Sequence, residues 1–221
     1  MKKFKLSASI MCANLMNIES QVRELENAQI DLIHIDLVDN QFSPNLTFGP
    51  DFINQLRQIT TIPFEIHYMV RSPSNLLNAL NDDVIKNSHI FHLNTIETAQ
   101  ELRNLVLMKN DEFGLALSPN DEITDLTQFL DILDVVLMLC VHPGFYGSKF
   151  IDASYLRAKK VKQLISDHKI KFCVDGSMSL ERALKMYDIG ADIFVGGTSS
   201  IFNDQGSIGH NITAFNKALD F

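Results

Sequence analysis

Cysteine is scarce in this 221-residue sequence: Cys12, Cys140 and Cys173 make an odd count, no two lie close together, and no CxxC occurs. That pattern argues against a disulfide framework and against a cysteine-built zinc site, and it fits a reduced, cytoplasmic setting. Basic charge is also short, with 19 Lys and Arg against 27 Asp and Glu, a formal net charge of −8. A broad nucleic-acid face needs clustered Lys and Arg, so no nucleic-acid partner is expected. A small anionic ligand stays open, because backbone amides bind phosphate without a basic patch. No apolar run approaches the roughly 20 residues of a membrane span, so no membrane partner is expected. The opening "MKKFKLSASIMCANL" has lysines but only a short, interrupted apolar patch, which makes a poor signal peptide.

What is present is a repeating pattern. Short apolar, β-branched runs stand at 5–10, 32–36, 64–70, 89–93, 113–118, 135–141, 171–174 and 192–197. Near-continuous apolar runs are the mark of parallel strands buried on both faces. Between them lie amphipathic stretches. Ile18, Val22, Leu25 and Ala28 share one face of 18–28. The stretch 152–168 opens on Asp152, an N-cap candidate, and sets Leu156, Val161, Leu164 and Ile165 along a stripe. The stretch 178–190 ends in Gly190, suited to the C′ position, and 207–219 is the last helix candidate. Strands alternating with helices at roughly 25–30 residues per unit predict an α/β fold, a (β/α)8 TIM barrel filling residues 1–221 as a single domain. An open doubly wound sheet is the competing reading, but the glycine fingerprint expected after its first strand is missing from "ASIMCANL".

In such a barrel the C-terminal strand ends form the active face. His34 and Asp36 close the second run, Glu65 and His67 sit late in the third, and Asp175 follows the seventh. A period of two places each i, i+2 pair on one side of its strand. A lone histidine near a strand end is more often structural, and His89, His92, His168 and His210 are read that way. His34, Asp36, His67 and Asp175 differ because they converge from three strand ends, as a divalent-metal site with mixed N/O ligands requires. Glu65 is a candidate to support it from behind. Glycine-bearing loops form a second group: "HPGFYGSKF" (142–150), "DGS" (175–177) and "GGTSSIF" (196–202) follow strands six, seven and eight. With Ser177, Thr198 and Ser199 beside them they suit a phosphate, and a short helix starting near Thr198 would point its N–H groups at the anion.

The segments "LSASIMCANL" (6–15), "HIDLVDNQFSPNLTFGP" (34–50), "HYMVRSP" (67–73), "VHPGFYGSKFI" (141–151), "VDGS" (174–177) and "VGGTSSIF" (195–202) resemble the ribulose-phosphate 3-epimerase family over nearly the whole chain. The resemblance implies a barrel enzyme, an isomerase that epimerises C3 of a ketose phosphate with one divalent metal ion such as zinc, iron(II) or manganese. It implies His34, Asp36, His67 and Asp175 as metal ligands, and Asp36 and Asp175 as the catalytic acid/base pair. Ser7, His67 and Met69 would meet the substrate near the metal. Gly144, Phe145, Tyr146, Gly147, Gly176, Ser177, Gly196, Gly197, Thr198 and Ser199 would hold the phosphate. A sugar phosphate is the implied small-molecule partner, and self-association into a homo-oligomer is implied as well.

The chain departs from the family pattern at Val38, Asn40, Gln41, Asn94, Leu139 and His142, without losing a proposed ligand. Asn40 stands where glycine is usual, and asparagine tolerates the left-handed region better than most residues. "VDGS" and "GGTSSIF" resemble the allulose 6-phosphate branch more than the pentulose branch. Two other readings are a sugar-phosphate-binding barrel whose catalysis has decayed, and another phosphate-binding barrel enzyme such as an aldolase or decarboxylase. The latter calls for a lysine at a strand C-terminus, and none is found there: Lys5 and Lys171 open their strands and Lys149 sits in a loop.

Overall fold

Eight short strands pair in sequence order, all parallel, and the last pairs with the first, so the sheet closes on itself. The structure is a computed structural model and describes residues 3–95, 99–145 and 147–220. The strands are β1 (Lys5–Ser9), β2 (Leu32–Val38), β3 (Phe64–Met69), β4 (Ser88–His92), β5 (Glu112–Leu117), β6 (Val135–Leu139), β7 (Lys171–Asp175) and β8 (Ile193–Gly196). This is the (β/α)8 barrel the pattern predicts, and closure removes the doubly wound alternative. All eight expected runs carry a strand, with ends shifted by at most two residues.

The helices are α1 (Ile18–Asn27), α2 (Pro50–Ile59), α3 (Pro73–Asn78), α4 (Ala99–Met108), α5 (Ser154–Leu164), α6 (Leu180–Ile189) and α7 (Ile208–Leu219). The β5–β6 crossing is made instead by a 3-10 segment, Ile123–Ile132. In α1, Val22 and Leu25 are fully buried, with Ile18 and Ala28 packed against the same core. Ser179 and Ser207 cap α6 and α7 by accepting from the amides of Arg182 and His210. Gly190 ends α6 at φ 104°, the left-handed C-cap that glycine supplies without strain.

Two local expectations fail. Asp152 does not cap α5: the helix starts at Ser154, its flanking residue is Ala153, and no side chain caps it. Leu156 leaves the proposed stripe and is 61% exposed, while Ser154, Ala158 and Val161 are buried. The small residues form the contact face because α5 packs closely. No helix forms near Thr198 either. Residues 197–202 make a single turn in which the amides of Ser200, Ile201 and Phe202 all converge on the Gly197 carbonyl. Gly196 permits that turn, since a Cβ there would lie 2.6 Å from the Ile201 side chain.

Alternation along each strand separates two cores. Leu32, Ile90, Ala116, Val135, Leu137, Leu139, Cys173, Ile193 and Val195 form a small cluster inside the barrel. The larger cluster, with Leu37, Ile66, Phe91, Phe113 and Phe172, lies between strands and helices. Truncating one of these fully buried side chains, as in Leu37→Ala, costs about 2–5 kcal/mol. Polar side chains concentrate at inward positions toward the C-terminal ends of β1 to β4: Ser7, Ser9, His34, Asp36, Glu65, His67 and His92 are all buried. None of the helices described is long and apolar enough to cross a membrane.

Candidate active site and metal centre

Register explains which polar groups meet. His34 lies directly opposite Glu65 across the β2–β3 pair, and Asp36 lies opposite His67. In parallel strands such neighbours share a face, so each imidazole acquires a carboxylate. His34 Nδ1 is 2.8 Å from Glu65 Oε2, which leaves Nε2 directed toward Asp36 Oδ1 at 3.2 Å and Asp175 Oδ2 at 3.8 Å. His67 Nδ1 is 3.0 Å from Asp36 Oδ1. On the other side of that ring, His67 Nε2 is 2.9 Å from His92 Nε2, and His92 Nδ1 is 3.1 Å from Ser118 Oγ. Asp175 arrives from β7, next to Leu139 of β6.

Donor atoms of His34, Asp36, His67 and Asp175 all lie within 4.8 Å of one another. Their chemistry fits a divalent cation. Three acids, Asp36, Glu65 and Asp175, crowd two imidazoles, His34 and His67, in a site where the two rings are fully buried. Excess buried negative charge is relieved by a proton or by a bound cation, and two nitrogen and two oxygen donors suit zinc, iron(II) or manganese. Glu65 behind His34 is the carboxylate–histidine arrangement that orients a metal-binding ring. Cys12 lies at the pocket but outside this donor group, and burial pushes its thiol up to about 11.

The two aspartates differ without metal. Burial alone would raise Asp36, but His34 and then His67 outweigh it and hold the carboxyl far below the usual range. At Asp175 burial prevails, reinforced by Asp36 and opposed by His34, and the carboxyl is pushed up to about 6. Burial opposes charge on His34, yet Asp36 and Glu65 hold that ring well above its ordinary value. Burial, then His67, push His92 well below.

Asp36 and Asp175 both face a pocket with an empty volume of about 590 Å³, mouth included. Met11, Met69, Leu139, Val141 and Val195 give it an apolar wall, and Gly144, Phe145, Gly147, Gly176, Ser177, Gly197, Thr198 and Ser199 form the loop side. Gly144, Gly147, Gly176 and Ser177 all line the pocket with positive φ, a conformation that glycine adopts without strain. Asn40 has φ 60°, the left-handed turn expected of it, and Asp39 fastens that loop by accepting from the amides of Gln41, Phe42 and Arg71. Asn94 and His142 are exposed. No lysine borders the pocket among the described residues.

Several expected contacts are placed elsewhere. Ser7 is fully buried beneath the pocket, beside Glu65, and does not line it. Ser9, two residues further along the same face, does, and its hydroxyl is 3.4 Å from Asp36 Oδ2. Gly196 shapes the turn rather than the pocket wall. Tyr146 lies outside the described residues. Sequence reasoning missed Ser9, Met11, Cys12 and Ser148 as lining residues, and it read His92 as structural. The period of two that pairs Ser7 with Ser9 was the available signal for the first.

A closed (β/α)8 barrel with paired carboxylates over a buried histidine pair, facing a glycine-lined pocket at its C-terminal mouth, has the build of a barrel enzyme. The chain belongs to the ribulose-phosphate 3-epimerase family, whose family model matches residues 5–202, and so to the carbohydrate isomerases. It is 34% identical to ribulose-phosphate 3-epimerase of Chlamydia trachomatis serovar D over 210 residues, covering 92% of this chain and 88% of that one. It is 28% identical to the Bacillus subtilis protein of the same name, covering 88% and 91%. Among solved structures, KGPDC from Streptococcus mutans superposes with a TM-score of 0.70 at 13% identity, covering 98% of this chain and 97% of that one. That likeness concerns the fold alone.

Proposed function

We propose that the chain is a metal-dependent 3-epimerase acting on the D-ribulose 5-phosphate/D-xylulose 5-phosphate pair. The observation that carries this reading is the pair of carboxylates, Asp36 from β2 and Asp175 from β7, facing one pocket from the buried histidine centre. Inverting C3 means removing a proton from one face of the carbon and returning one to the other, which takes two proton-carrying groups.

His34, Asp36, His67 and Asp175 would hold the metal, which supplies Lewis-acid stabilisation of the negative charge that develops on the substrate oxygens. Asp36 takes the C3 proton on its side, and Asp175 delivers one on the other; the roles exchange in the reverse direction. Ser9 places its hydroxyl on Asp36 Oδ2 and steadies that oxygen. Met11, Met69 and Leu139 keep the reacting carbon dry, which protects the planar intermediate from stray protonation. The amides of the turn at Gly197 to Ser199 and of Gly176 and Ser177 hold the phosphate, with glycines allowing close approach.

The test is proton NMR in deuterated water on metal-loaded protein, supplied in turn with ribulose 5-phosphate and allulose 6-phosphate. Exchange at C3 of the pentulose with appearance of xylulose 5-phosphate is the expected result. Exchange with allulose 6-phosphate alone would move the substrate to the hexulose branch. Exchange with neither, by protein that retains metal and binds sugar phosphate, would leave the decayed, binding-only barrel.

A further inference from the structure

We infer that His92 is a positioning residue for the metal centre, and that metal entry reverses the order of hydrogen bonds along the His67–His92–Ser118 chain. This rests on the metal reading above. The chain is built, not incidental. His67 Nε2 and His92 Nε2 are 2.9 Å apart, the two rings stack at 4.9 Å, and His92 Nδ1 is 3.1 Å from Ser118 Oγ. Both rings are fully buried, and Phe42 closes over His92 at 4.4 Å. The Ser118 backbone is pinned in turn: its amide donates to Asp121 and its carbonyl accepts from Arg157.

Two facing ring nitrogens share a single hydrogen, so the chain has two orders. Without metal, His67 Nδ1–H donates to Asp36 Oδ1 at 3.0 Å. His67 Nε2 then accepts from His92 Nε2–H, and His92 Nδ1 accepts from the Ser118 hydroxyl. A metal on His67 Nδ1 removes that hydrogen. His67 now carries its proton on Nε2 and donates it to His92 Nε2, which obliges His92 to hold its own proton on Nδ1 and donate to Ser118 Oγ. The proton leaving His67 Nδ1 goes to solvent, His92 passes its Nε2 proton to His67, and His92 Nδ1 takes the Ser118 hydroxyl proton, which solvent replaces on Ser118, so one proton leaves and one enters. His92 thereby accepts from the ligating form of His67 and fixes the direction of its ring, in the place that Glu65 holds behind His34.

The experiment combines chelator competition for Zn²⁺ with 15N NMR of histidine-labelled protein. His92→Phe keeps the ring stack but removes the acceptor, and its Zn²⁺ affinity should fall by about 10–100-fold. His92→Gln, whose side-chain oxygen can accept from His67, should recover affinity to within about threefold of wild type. Zinc-loaded wild type should show His92 protonated on Nδ1 and His67 on Nε2, with the opposite assignment after zinc removal. Unchanged affinity in His92→Phe, or the same His92 ring form with and without zinc, overturns the inference while leaving the metal centre standing. If His92→Phe fails to fold, Ser118→Ala carries the same test, with a fall of several-fold expected and unchanged affinity overturning it. Wild-type protein that takes up no Zn²⁺, Mn²⁺ or Fe²⁺ removes the metal reading itself.

Discussion

His67 and Tyr68 are neighbours on β3 that face opposite ways, and each anchors a buried histidine network. Outside the barrel, Tyr68 Oη bonds His89 Nδ1 and His89 Nε2 bonds Asp111 Oδ2, both at 2.9 Å, while Asp111 Oδ1 accepts from the Asn87 amide. One hydroxyl, one imidazole and one carboxylate match each other. Inside, Asp36, Glu65 and Asp175 surround His34 and His67, and two of those acids open onto a pocket. The outer network is complete as it stands. The inner one carries surplus negative charge that a cation would balance. A histidine's burial and hydrogen bonds are alike in both, and His89 and Asp111 also border a cavity, so it is the ratio of acids to imidazoles that separates chemistry from scaffolding.

The comparison breaks most sharply at Asp36. Asp36→Asn keeps shape but loses the base, and C3 exchange should fall on the order of 10³-fold or more, with the folded protein's circular dichroism unchanged. Turnover near wild type would place Asp36 among structural groups, like Asp111.

Protonation sharpens the contrast in the metal-free protein. Asp175 stands at about 6 when folded, above the ordinary carboxylate, so the folded state holds its proton more tightly. Its contribution is therefore present at low pH and lost as pH rises from about 4 through 6, by about 3 kcal/mol at most. Asp36 and Glu65 are held low and change below this window, and His34 is held high and changes above it. Urea unfolding of metal-free wild type and Asp175→Asn should agree near pH 4 and diverge by pH 6.5, with wild type the weaker. Equal stability at both pH values would show that burial does not strain Asp175. Saturating metal should reverse the order.

One change on each network tests their independence. Glu65→Gln should weaken metal binding by about 10–100-fold. Tyr68→Phe leaves the buried His89 Nδ1 without its hydroxyl and should cost about 1–3 kcal/mol of stability, with metal affinity and turnover intact. A Tyr68→Phe protein that loses metal would join the two networks into one.

Much of the inner network was legible. His34/Asp36 and Glu65/His67 are i, i+2 pairs, and strand alternation alone puts each on one face. What alternation cannot give is the stagger between strands. His67 stands opposite Ile90, so His92 reaches it only along a diagonal, and Ser118 reaches His92 likewise, since His92 stands opposite Ala116. A histidine 25 residues from its partner therefore read as ordinary core. The choice of Ser7 over Ser9 has the same origin: the shared face was visible, but the depth along it depends on pairing with β2 and β8. Leu156 misled for a different reason, because α5 meets its neighbours through Ser154 and Ala158, and hydrophobicity alone does not mark a close-packed face.

The smallest effect belongs to the loop that roofs the inner network. Asn40 is exposed at φ 60°, while Phe42, two residues on, lies over His92. A left-handed conformation strains any side chain, asparagine less than most, and glycine removes the strain. Against that gain, glycine enlarges the conformational freedom of the unfolded chain. Asn40→Gly should thus raise stability by about 0.5 kcal/mol or less, whereas Asn40→Val, β-branched in the same turn, should lower it by about 1–2 kcal/mol. Asp39 fixes the loop through three amides of Gln41, Phe42 and Arg71, so neither change should displace Phe42 or alter metal affinity by more than about twofold. Thermal unfolding and chelator competition on the same samples decide it. A large change in metal affinity from Asn40→Gly would mean that the roof belongs to the centre and that the site extends beyond its histidines and carboxylates into the loop.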